Sequence, residues 1–355
     1  MIHYYKKFYR KKKILITGHT GFKGAWLSTF FLLFDSKILG VSIDDLKKPN
    51  LFNSLKLKKK ILHKKCDIRN FKKLKKIFNS FKPDYVFHLA AQSIVSKSYK
   101  MPKETFETNF LGTLNILEIC KNYKNLKSLI IVTSDKCYEI KNKNKSFLED
   151  DPLGGKDPYS SSKAAVEVMM KPYLSIYKKN KIALASVRAG NVIGGGDWAA
   201  DRIVPDIVRA KTKKQKFVIR NPNYIRPWQH VFDCLNGYIY LGTKLSGNYK
   251  KFSGSYNFGP LNSSKISVLN LSKKISQYLK TDYILKNNKK NIYLETKVLQ
   301  LNTNKSKKLL NYSAKMNFED TINYTVNWYK NFFNKEEDMF TFSLKQITNF
   351  YKTKY

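Results

Sequence analysis

A glycine-rich turn near the start of the chain constrains the fold more than any other stretch. The apolar run 13–17 predicts a short buried strand, and residues 25–34 predict a hydrophobic helix directly after the turn. Between them, Gly18 permits a tight turn, Gly21 lets the backbone approach a phosphate, and Gly24 lets the helix pack close to the strand. A strand, a glycine turn and a helix in this order place helix amides against a pyrophosphate. The stretch therefore predicts a dinucleotide-binding unit.

The strands that follow indicate which dinucleotide would bind. A second strand over 37–43 ends at Asp44, about twenty residues after the last glycine, where an acidic side chain accepts hydrogen bonds from the adenosine ribose. The same charge repels a 2′-phosphate, so NAD is favoured over NADP. A third strand near 61–62 leads to Asp67, which could meet the adenine amine or cap a helix. Residues 84–92 form a fourth strand and a loop at the carboxyl edge, where open α/β sheets bind ligands.

A tyrosine and a lysine one helical turn apart form the strongest candidate for a catalytic pair. Residues 158–170 follow a Gly/Pro-rich loop and predict a helix on which Tyr159 and Lys163 share one face. A free phenol has a pKa of about 10. A nearby ammonium favours phenolate and would lower that pKa toward the range of a general base. This spacing alone is more often an ordinary exposed pair, so the interpretation depends on its surroundings.

A central strand supplies those surroundings. Residues 129–133 form a buried strand that ends in Ser134, Asp135 and Lys136, and a helix from about 102 to 122 precedes it. An acid and an ammonium at the tip of a core strand are well placed for a reaction. A solvated strand end is the equal alternative from the residues alone.

The positive charge of the chain is large but widely spread. The formal net charge is +41, and 60 of the 67 basic residues are lysines scattered through all predicted elements. Such a charge could indicate nucleic acid or an anionic membrane as a partner, but no recognised nucleic-acid-reading module accompanies it. We therefore expect neither partner, and keep a basic nucleic-acid-binding protein as the alternative from a different functional class.

The arginines are few and clustered. Because a planar guanidinium is hard to replace where it grips a phosphate or carboxylate, the cluster predicts an anionic substrate group. Structural ion pairs are the alternative, above all for two of them, Arg209 and Arg220. Five of the seven arginines of the chain fall between residues 188 and 226: Arg188, Arg202, Arg209, Arg220 and Arg226.

Cysteine usage and the terminal residues predict a cytoplasmic protein. The four cysteines are widely spaced and show no Cys-x-x-Cys motif or Cys/His cluster, so we expect neither disulfides nor a metal site. The basic, aromatic first thirteen residues lack the apolar run of a signal peptide, and no stretch is apolar enough to span a bilayer.

The alternation of strands and helices predicts an α/β protein. We expect a Rossmann-type doubly wound parallel sheet with a smaller C-terminal α/β substrate-binding lobe. The boundaries assigned from the sequence are a basic lead-in at 1–12, a dinucleotide-binding domain at 13–189, to which 230–260 returns, a substrate lobe mainly at 190–330, and a tail at 331–355.

Five motifs resemble those of the extended short-chain dehydrogenase/reductase family, and within it the NAD-dependent nucleotide-sugar dehydratases. The resemblance covers about residues 8–330, and Asp135 followed by Lys136 is its discriminating feature, because relatives acting on dTDP-glucose or GDP-mannose typically carry an acidic pair there. It implies CDP-glucose as the substrate, in deoxysugar biosynthesis for surface polysaccharide. The motifs are the segments 18–24, 133–139, 151–163, 188–198 and 226–231.

The resemblance also implies a reaction in three steps without net redox change. Tyr159, helped by Lys163, would remove the C4 hydroxyl proton while a hydride passes from C4 to NAD, and Ser134 would share a hydrogen bond with the C4 oxygen. Lys136 would then remove the C5 proton while Asp135 protonates the departing C6 hydroxyl. Return of the hydride to C6 leaves a 6-deoxy-4-keto sugar.

Further contacts are implied by the resemblance alone. A homodimer or homotetramer would form through the helices at 102–122 and 158–178. An epimerase or a reductase on the same scaffold stays an alternative, since it would keep Tyr159 and Lys163 without needing Asp135 and Lys136 together. Substrate contacts would come from Ser93, Asn109, Asn191, Arg202, Arg226 and His230. Cofactor contacts would come from Gly18, Thr20, Gly21, Phe22, Gly24, Asp44, Asp67, Ile68, Leu89, Ala90, Gln92, Tyr159 and Lys163.

Overall fold

A computed structural model describes residues 1–43, 47–140, 146–261, 266–285 and 298–353. Its strands are β1 Lys13–Thr17, β2 Lys37–Ser42, β3 Leu62–Lys65, β4 Tyr85–His88, β5 Ser128–Val132, β6 Ser146–Phe147, β7 Leu184–Ala189, β8 Val192–Ile193, β9 Phe217–Ile219, β10 Gln229–His230, β11 Gly254–Phe258, β12 Tyr283–Leu285 and β13 Gln300–Leu301. Its α-helices are α1 Ile2–Tyr9, α2 Phe22–Leu33, α3 Leu51–Ser54, α4 Phe71–Phe81, α5 Val95–Lys100, α6 Pro102–Phe106, α7 Gly112–Cys120, α8 Pro158–Lys179, α9 Ile203–Thr212, α10 Val231–Gly247, α11 Tyr249–Phe252, α12 Val268–Leu279, α13 Asn304–Leu310, α14 Phe318–Asn334 and α15 Met339–Lys352.

Seven parallel strands form the main sheet, in the order β3-β2-β1-β4-β5-β7-β11. The chain builds outward from β1 in one direction as far as β3, and then from β4 in the other. Strand order therefore reverses between β1 and β4, and ligands of open α/β sheets bind at such a point, outside the carboxyl ends of the strands.

Both faces of this sheet are covered by helices. On β5, Ile130 and Val132 point into a core shared with α2, α10 and α15, whereas Leu129 and Ile131 point into a second core shared with α4, α7 and α8. Burial on both faces explains why the central strands are continuous apolar runs rather than alternating ones. The predicted doubly wound Rossmann-type sheet is confirmed.

The C-terminal half contributes to this sheet and to a smaller lobe. Strand β11 pairs in parallel with β7 at the far edge of the sheet, and α10 packs against β5. The pair β9 and β12 lies outside the sheet and contacts α9 and α12. The exact domain boundaries stay a prediction, but the return of the segment that contains α10 and β11 to the sheet is observed.

Local chemistry fixes the start of α8, the helix that carries the tyrosine and the lysine. Asp157 is its N-cap and accepts a hydrogen bond from the Ser160 amide at 2.9 Å, while Pro158 occupies the first helical position. Further along, Val166 and Met170 pack into the core beneath the sheet. Tyr159 is thereby held in the first helical turn, beside the carboxyl ends of the strands.

The helices near both ends of the described chain pack into the core. Tyr5 and Tyr9 of α1 are fully buried, and the Tyr5 hydroxyl donates to Asn236 Oδ1 at 2.7 Å. Tyr351 of α15 donates to the same oxygen at 3.0 Å. Helices α1 and α15 therefore meet on α10 and complete the core on one face of the sheet.

Candidate active site

The glycine turn lies where β1, β2 and β4 end. Gly18 has a φ of +73°, and a Cβ on it would lie 2.7 Å from the Ala90 amide nitrogen. A Cβ on Gly24 would lie 2.2 Å from the Gly18 carbonyl oxygen. The N-cap of α2 is Gly21, which has no side chain to satisfy the amides of the first turn. This geometry leaves helix amides for an anionic group, as the sequence predicted.

Side chains next to the glycine turn also make specific contacts. The Thr20 and Ser42 hydroxyls are 2.6 Å apart, and Phe22 approaches the glycine loop at Gly194. Leu89 and Ala90 are half-buried at the end of β4. Asp44 lies outside the described residues, so its contact with ribose stays a prediction.

Asp67 and Ile68 lie at the end of β3. The carboxylate of Asp67 binds the Arg69 guanidinium, with Nη2 at 2.6 Å, and this hydrogen bond lowers the pKa of Asp67. The helix that follows is capped by Asn70, so the alternative that Asp67 is an N-cap is wrong. Ile68 is buried and packs against the helix position of Gly112.

Tyr159 lies among the residues that end β5. Burial raises the pKa of its phenol to about 12, opposed by a hydrogen bond with Ser134 and by the positive charge of Arg202. The charge of Asp135 raises it further. The sequence-based expectation that Lys163 lowers this pKa is therefore wrong, because desolvation outweighs the charges around the phenol.

Lys163 is buried and points toward β5. Its Nζ donates to the Val132 carbonyl oxygen at 3.1 Å, and burial lowers its pKa to about 8, with a further contribution from the charge of Lys23. With a pKa of about 8, Lys163 is still mostly protonated at neutral pH and carries a positive charge there.

Lys23 was missed by the sequence analysis. It lies in the first turn of α2, half-buried, with Nζ 5.8 Å from the centre of the Tyr238 ring. Its charge acts on both Lys163 and Asp135. The available signal was its position, since it is the one charged residue of an otherwise apolar helix.

Asp135 is the buried acid of the site. Ser134 Oγ donates to its Oδ1 at 3.0 Å, while Oδ2 has no hydrogen-bond partner among the described residues. Burial raises the pKa of Asp135, with the charge of Lys136 as the main opposing influence. Gly190 lies beside this oxygen, since a Cβ there would lie 3.4 Å from Oδ2. A carboxyl group whose pKa is raised by burial and which keeps one oxygen open is suited to donate a proton to a bound molecule.

Asn109 and Gln92 bind each other rather than facing open space. Asn109 Nδ2 donates to the Gln92 carbonyl at 3.0 Å and to Ser162 Oγ at 2.9 Å, and its Oδ1 accepts from the Gln92 amide at 2.8 Å. These bonds tie the loop after β4 to α8. Asn109 lies on a π-helical turn, Glu107–Leu111, that interrupts the predicted 102–122 helix. Ser93, next along the loop, is exposed.

The arginine cluster divides into two groups. Arg202 binds Asp197 with Nη1 to Oδ2 at 3.1 Å and lies close enough to act on Tyr159. Arg226 is buried over the Tyr224 ring, and its charge acts on Asp135. These two arginines border the candidate site.

The other three arginines form ion pairs. Arg188 is buried and binds Glu167 at 2.7 Å, so the expectation that it grips an anionic substrate is wrong. The predicted alternative of structural ion pairs is confirmed for the other two. Arg209 binds the carboxylate of Asp206, and Arg220 binds that of Asp201.

His230 ends β10, and Asn191 directly precedes β8, the strand that pairs with β10. His230 caps α10, its Nδ1 accepts from the Phe232 amide at 3.2 Å, and burial lowers its pKa to about 3. Its ring packs against Phe232 and Tyr324. Asn191 is half-buried, and its carbonyl accepts from the Gln229 amide. These contacts of His230 are structural, and its role in substrate binding stays a prediction.

No group of three His, Cys, Asp or Glu side chains within the described residues is arranged to hold a metal ion. No helix in the same residues is both long and apolar enough to cross a membrane.

Comparison with known proteins fits this geometry. The profile of the GDP-mannose 4,6 dehydratase family matches residues 15–325. The chain belongs to this family. A CDP-glucose 4,6-dehydratase from Salmonella typhimurium is 38% identical over 351 residues, which are 97% of this chain and 98% of that protein. A UDP-glucose 4-epimerase from Mycoplasma genitalium is 24% identical, over 91% of this chain and 98% of that protein.

Family membership extends to the three-dimensional structure. A solved dTDP-glucose 4,6-dehydratase from Bacillus anthracis, in complex with NAD, superposes with a TM-score of 0.74 at 23% identity, covering 94% of this chain and 99% of that one. At this identity the likeness shows the fold. The resemblance inferred from the motifs is confirmed at the level of the family.

Proposed function

We propose that this protein is a CDP-glucose 4,6-dehydratase that converts CDP-glucose to CDP-4-keto-6-deoxyglucose and water with NAD as its cofactor. The observation that carries the proposal is Asp135, a buried carboxyl with one unpaired oxygen, held by Ser134 beside Tyr159. The full-length similarity to the Salmonella enzyme supports the choice of substrate.

The residues around the glycine turn fit NAD. The close approach of Gly18 to Ala90, and of Gly24 to Gly18, leaves no room for side chains where a diphosphate would approach the backbone. Asp67 and Ile68 would border the adenine of NAD. Leu89 and Ala90 would border the part of NAD that lies between the glycine turn and Tyr159. Bound there, NAD would supply the hydride acceptor for the oxidation at C4 and the hydride donor for the return to C6.

Tyr159, Ser134 and Lys163 serve the oxidation at C4. Ser134 orients the C4 hydroxyl, and its hydroxyl proton, which Asp135 Oδ1 accepts in the structure, would turn to the phenolate of Tyr159 and stabilise it. Lys163 is anchored on Val132 and supplies positive charge beneath the phenol. Tyr159 then accepts the hydroxyl proton as C4 becomes a ketone.

Asp135 and Lys136 serve the elimination. The C4 ketone acidifies the C5 proton, which Lys136 removes, while Asp135 gives its proton to the departing C6 hydroxyl, and water leaves. Burial raises the pKa of Asp135 and so favours its protonated form relative to an exposed carboxyl. Arg202 and Arg226 border this region and would bind the diphosphate of the substrate.

We also propose that the protein forms a homodimer or homotetramer through α8 and its neighbours. Exposed apolar side chains follow one another along these helices, with Val168 54% and Ile176 42% exposed on α8 and Leu111 47% exposed on the adjacent π-helical turn. Apolar side chains of this size are rarely left in water in a row. Pairing of two copies would cover them.

The test is to incubate the purified protein separately with CDP-glucose, dTDP-glucose and GDP-mannose, with and without added NAD. Conversion of CDP-glucose alone to a 4-keto product that has lost one water is expected. Tyr159→Phe should abolish formation of reduced NAD, and Lys136→Ala should form reduced NAD but no product. Turnover of another nucleotide sugar would overturn the substrate, and an epimerised product that retains its mass would overturn the reaction.

A further inference from the structure

A buried carboxylate links α8 to the end of β5. Glu167 is fully buried one helical turn after Lys163, and its Oε1 accepts a hydrogen bond from the Thr133 hydroxyl. Its other oxygen, Oε2, accepts from Arg188 Nη2 at 2.7 Å and from Ser186 Oγ at 2.8 Å. Glu167 therefore fixes the residue directly before Ser134 to the helix that carries Tyr159.

The guanidinium of Arg188 continues this link on the other side. Nη1 donates to the Tyr138 hydroxyl at 2.7 Å and to the Glu149 carbonyl at 2.8 Å. The guanidinium carbon also lies 4.9 Å from the centre of the Tyr138 ring. Tyr138 comes directly after the short helix Asp135–Cys137, so this helix is bonded to the same ion pair at both ends.

We propose that Glu167 and Arg188 are positioning residues that hold the Ser134–Tyr138 turn at a fixed place relative to α8. Through Thr133 and Tyr138 they set where Asp135 and Lys136 stand with respect to Tyr159. The inference rests on the proposed function, because the acid and base roles of the turn belong to that function.

Stability alone is a poor explanation for this pair. A buried ion pair is often no more stabilising than well-packed apolar residues of similar volume, since two charges must leave water. Apolar substitutes could not, however, make directed bonds to two hydroxyls on opposite sides of one turn. Burial alone would raise the pKa of Glu167. The positive charge of the neighbouring Arg188 outweighs burial and holds this pKa below its usual range.

The two hydroxyls allow a mild test, because Thr133→Val and Tyr138→Phe each remove one bond to the pair and leave both charges buried together. Asp135 and Lys136 of the turn serve the elimination, whereas Ser134 at its start serves the oxidation together with Tyr159 and Lys163. A small displacement of a catalytic group can slow its step by about tenfold to a hundredfold. For Tyr138→Phe, at the far end of the turn from Ser134, we expect such a loss in elimination with oxidation nearly unchanged, so that reduced NAD accumulates. Thr133→Val, next to Ser134, should slow both steps.

Ser255→Ala is the matched control. Ser255 Oγ donates to the same Glu167 oxygen at 3.2 Å, but from β11, away from the turn. Each protein is mixed with CDP-glucose, and reduced NAD and the 4-keto product are followed together. Hydrogen exchange of residues 134–138 is measured on the same proteins, and we expect faster exchange in both hydroxyl variants but not in Ser255→Ala.

The outcomes separate this inference from the proposed function. If the unaltered protein turns over CDP-glucose but both hydroxyl variants behave like it, or if Tyr138→Phe loses oxidation and elimination equally, the positioning role is wrong. If the unaltered protein forms no product, the proposed function is wrong. Hydrogen exchange then still decides whether Glu167 and Arg188 hold the turn. Unchanged exchange of residues 134–138 in the two hydroxyl variants would overturn the positioning role.

Discussion

Ser134 offers the sharpest test of how the site ionises its tyrosine. Because the pKa of Tyr159 is raised to about 12, forming its phenolate at pH 7 requires about 7 kcal/mol before other charges are added. The Ser134 hydroxyl is the first influence that opposes burial. Ser134→Ala removes that hydrogen bond, and a bond to a charged group contributes about 1.5–3 kcal/mol. The phenolate fraction should therefore fall by about ten- to a hundredfold.

The oxidation step must be observed by itself to measure this loss. In a Lys136→Ala background the expected block after oxidation makes the appearance of reduced NAD a direct signal of that step. Ser134→Ala in this background should slow the signal by about ten- to a hundredfold at pH 7, which follows from the lost phenolate. Because the phenol pKa rises, the rate should also recover at higher pH than in the background protein.

Ser134→Thr is the matched control, since it keeps a hydroxyl at the same place. It should keep the pH dependence of the background protein even if its rate is somewhat lower. A uniform slowing of Ser134→Ala with no displacement along the pH axis would mean that Ser134 only orients the substrate. An unchanged rate would refute both roles.

Three further predictions concern other parts of the protein. Lys23→Met removes a like charge near Lys163 and should raise the pKa of Lys163 from about 8. The part of the pH–rate profile of oxidation that reflects the titration of Lys163 should therefore move to higher pH. Burial raises the pKa of Asp233 to about 6 from 3.8, so its contribution to stability is full below pH 3.8 and is lost as pH rises through 6. That loss is about 3 kcal/mol, and urea unfolding of Asp233→Asn should lack this part of the pH dependence. Val168→Lys should shift sedimentation toward the monomer, whereas an unchanged sedimentation coefficient would exclude α8 from the interface.

The sequence predicted the parts of this protein that depend on neighbouring residues. The glycine turn, the alternation of strands and helices, and the placement of Tyr159 and Lys163 on one helix are encoded within short windows, and the structure agrees with each of them. Spacing also brought Ser134 and Asp135 to the end of a buried strand.

Features that depend on distant partners could not be predicted in this way. Arg188 resembled a ligand-binding arginine because its partner Glu167 lies on another element. The phenol pKa was misjudged because the spacing of charges along a helix says nothing about how deeply the ring is buried. Tyr5 and Tyr351 looked peripheral because the residue that both contact, Asn236, is far from either in the sequence.

The meeting of α1 and α15 on α10 bears on how the chain folds during its synthesis. Helix α15 is made only after every strand of the main sheet, so α1 and α10 emerge from the ribosome long before the third member of their contact. Until then, the apolar surface of α2 that later contacts Tyr351 has no cover from α15. Partly made chains with exposed apolar surface are prone to aggregate. We therefore expect the nascent chain to need protection by a chaperone until α15 has left the ribosome.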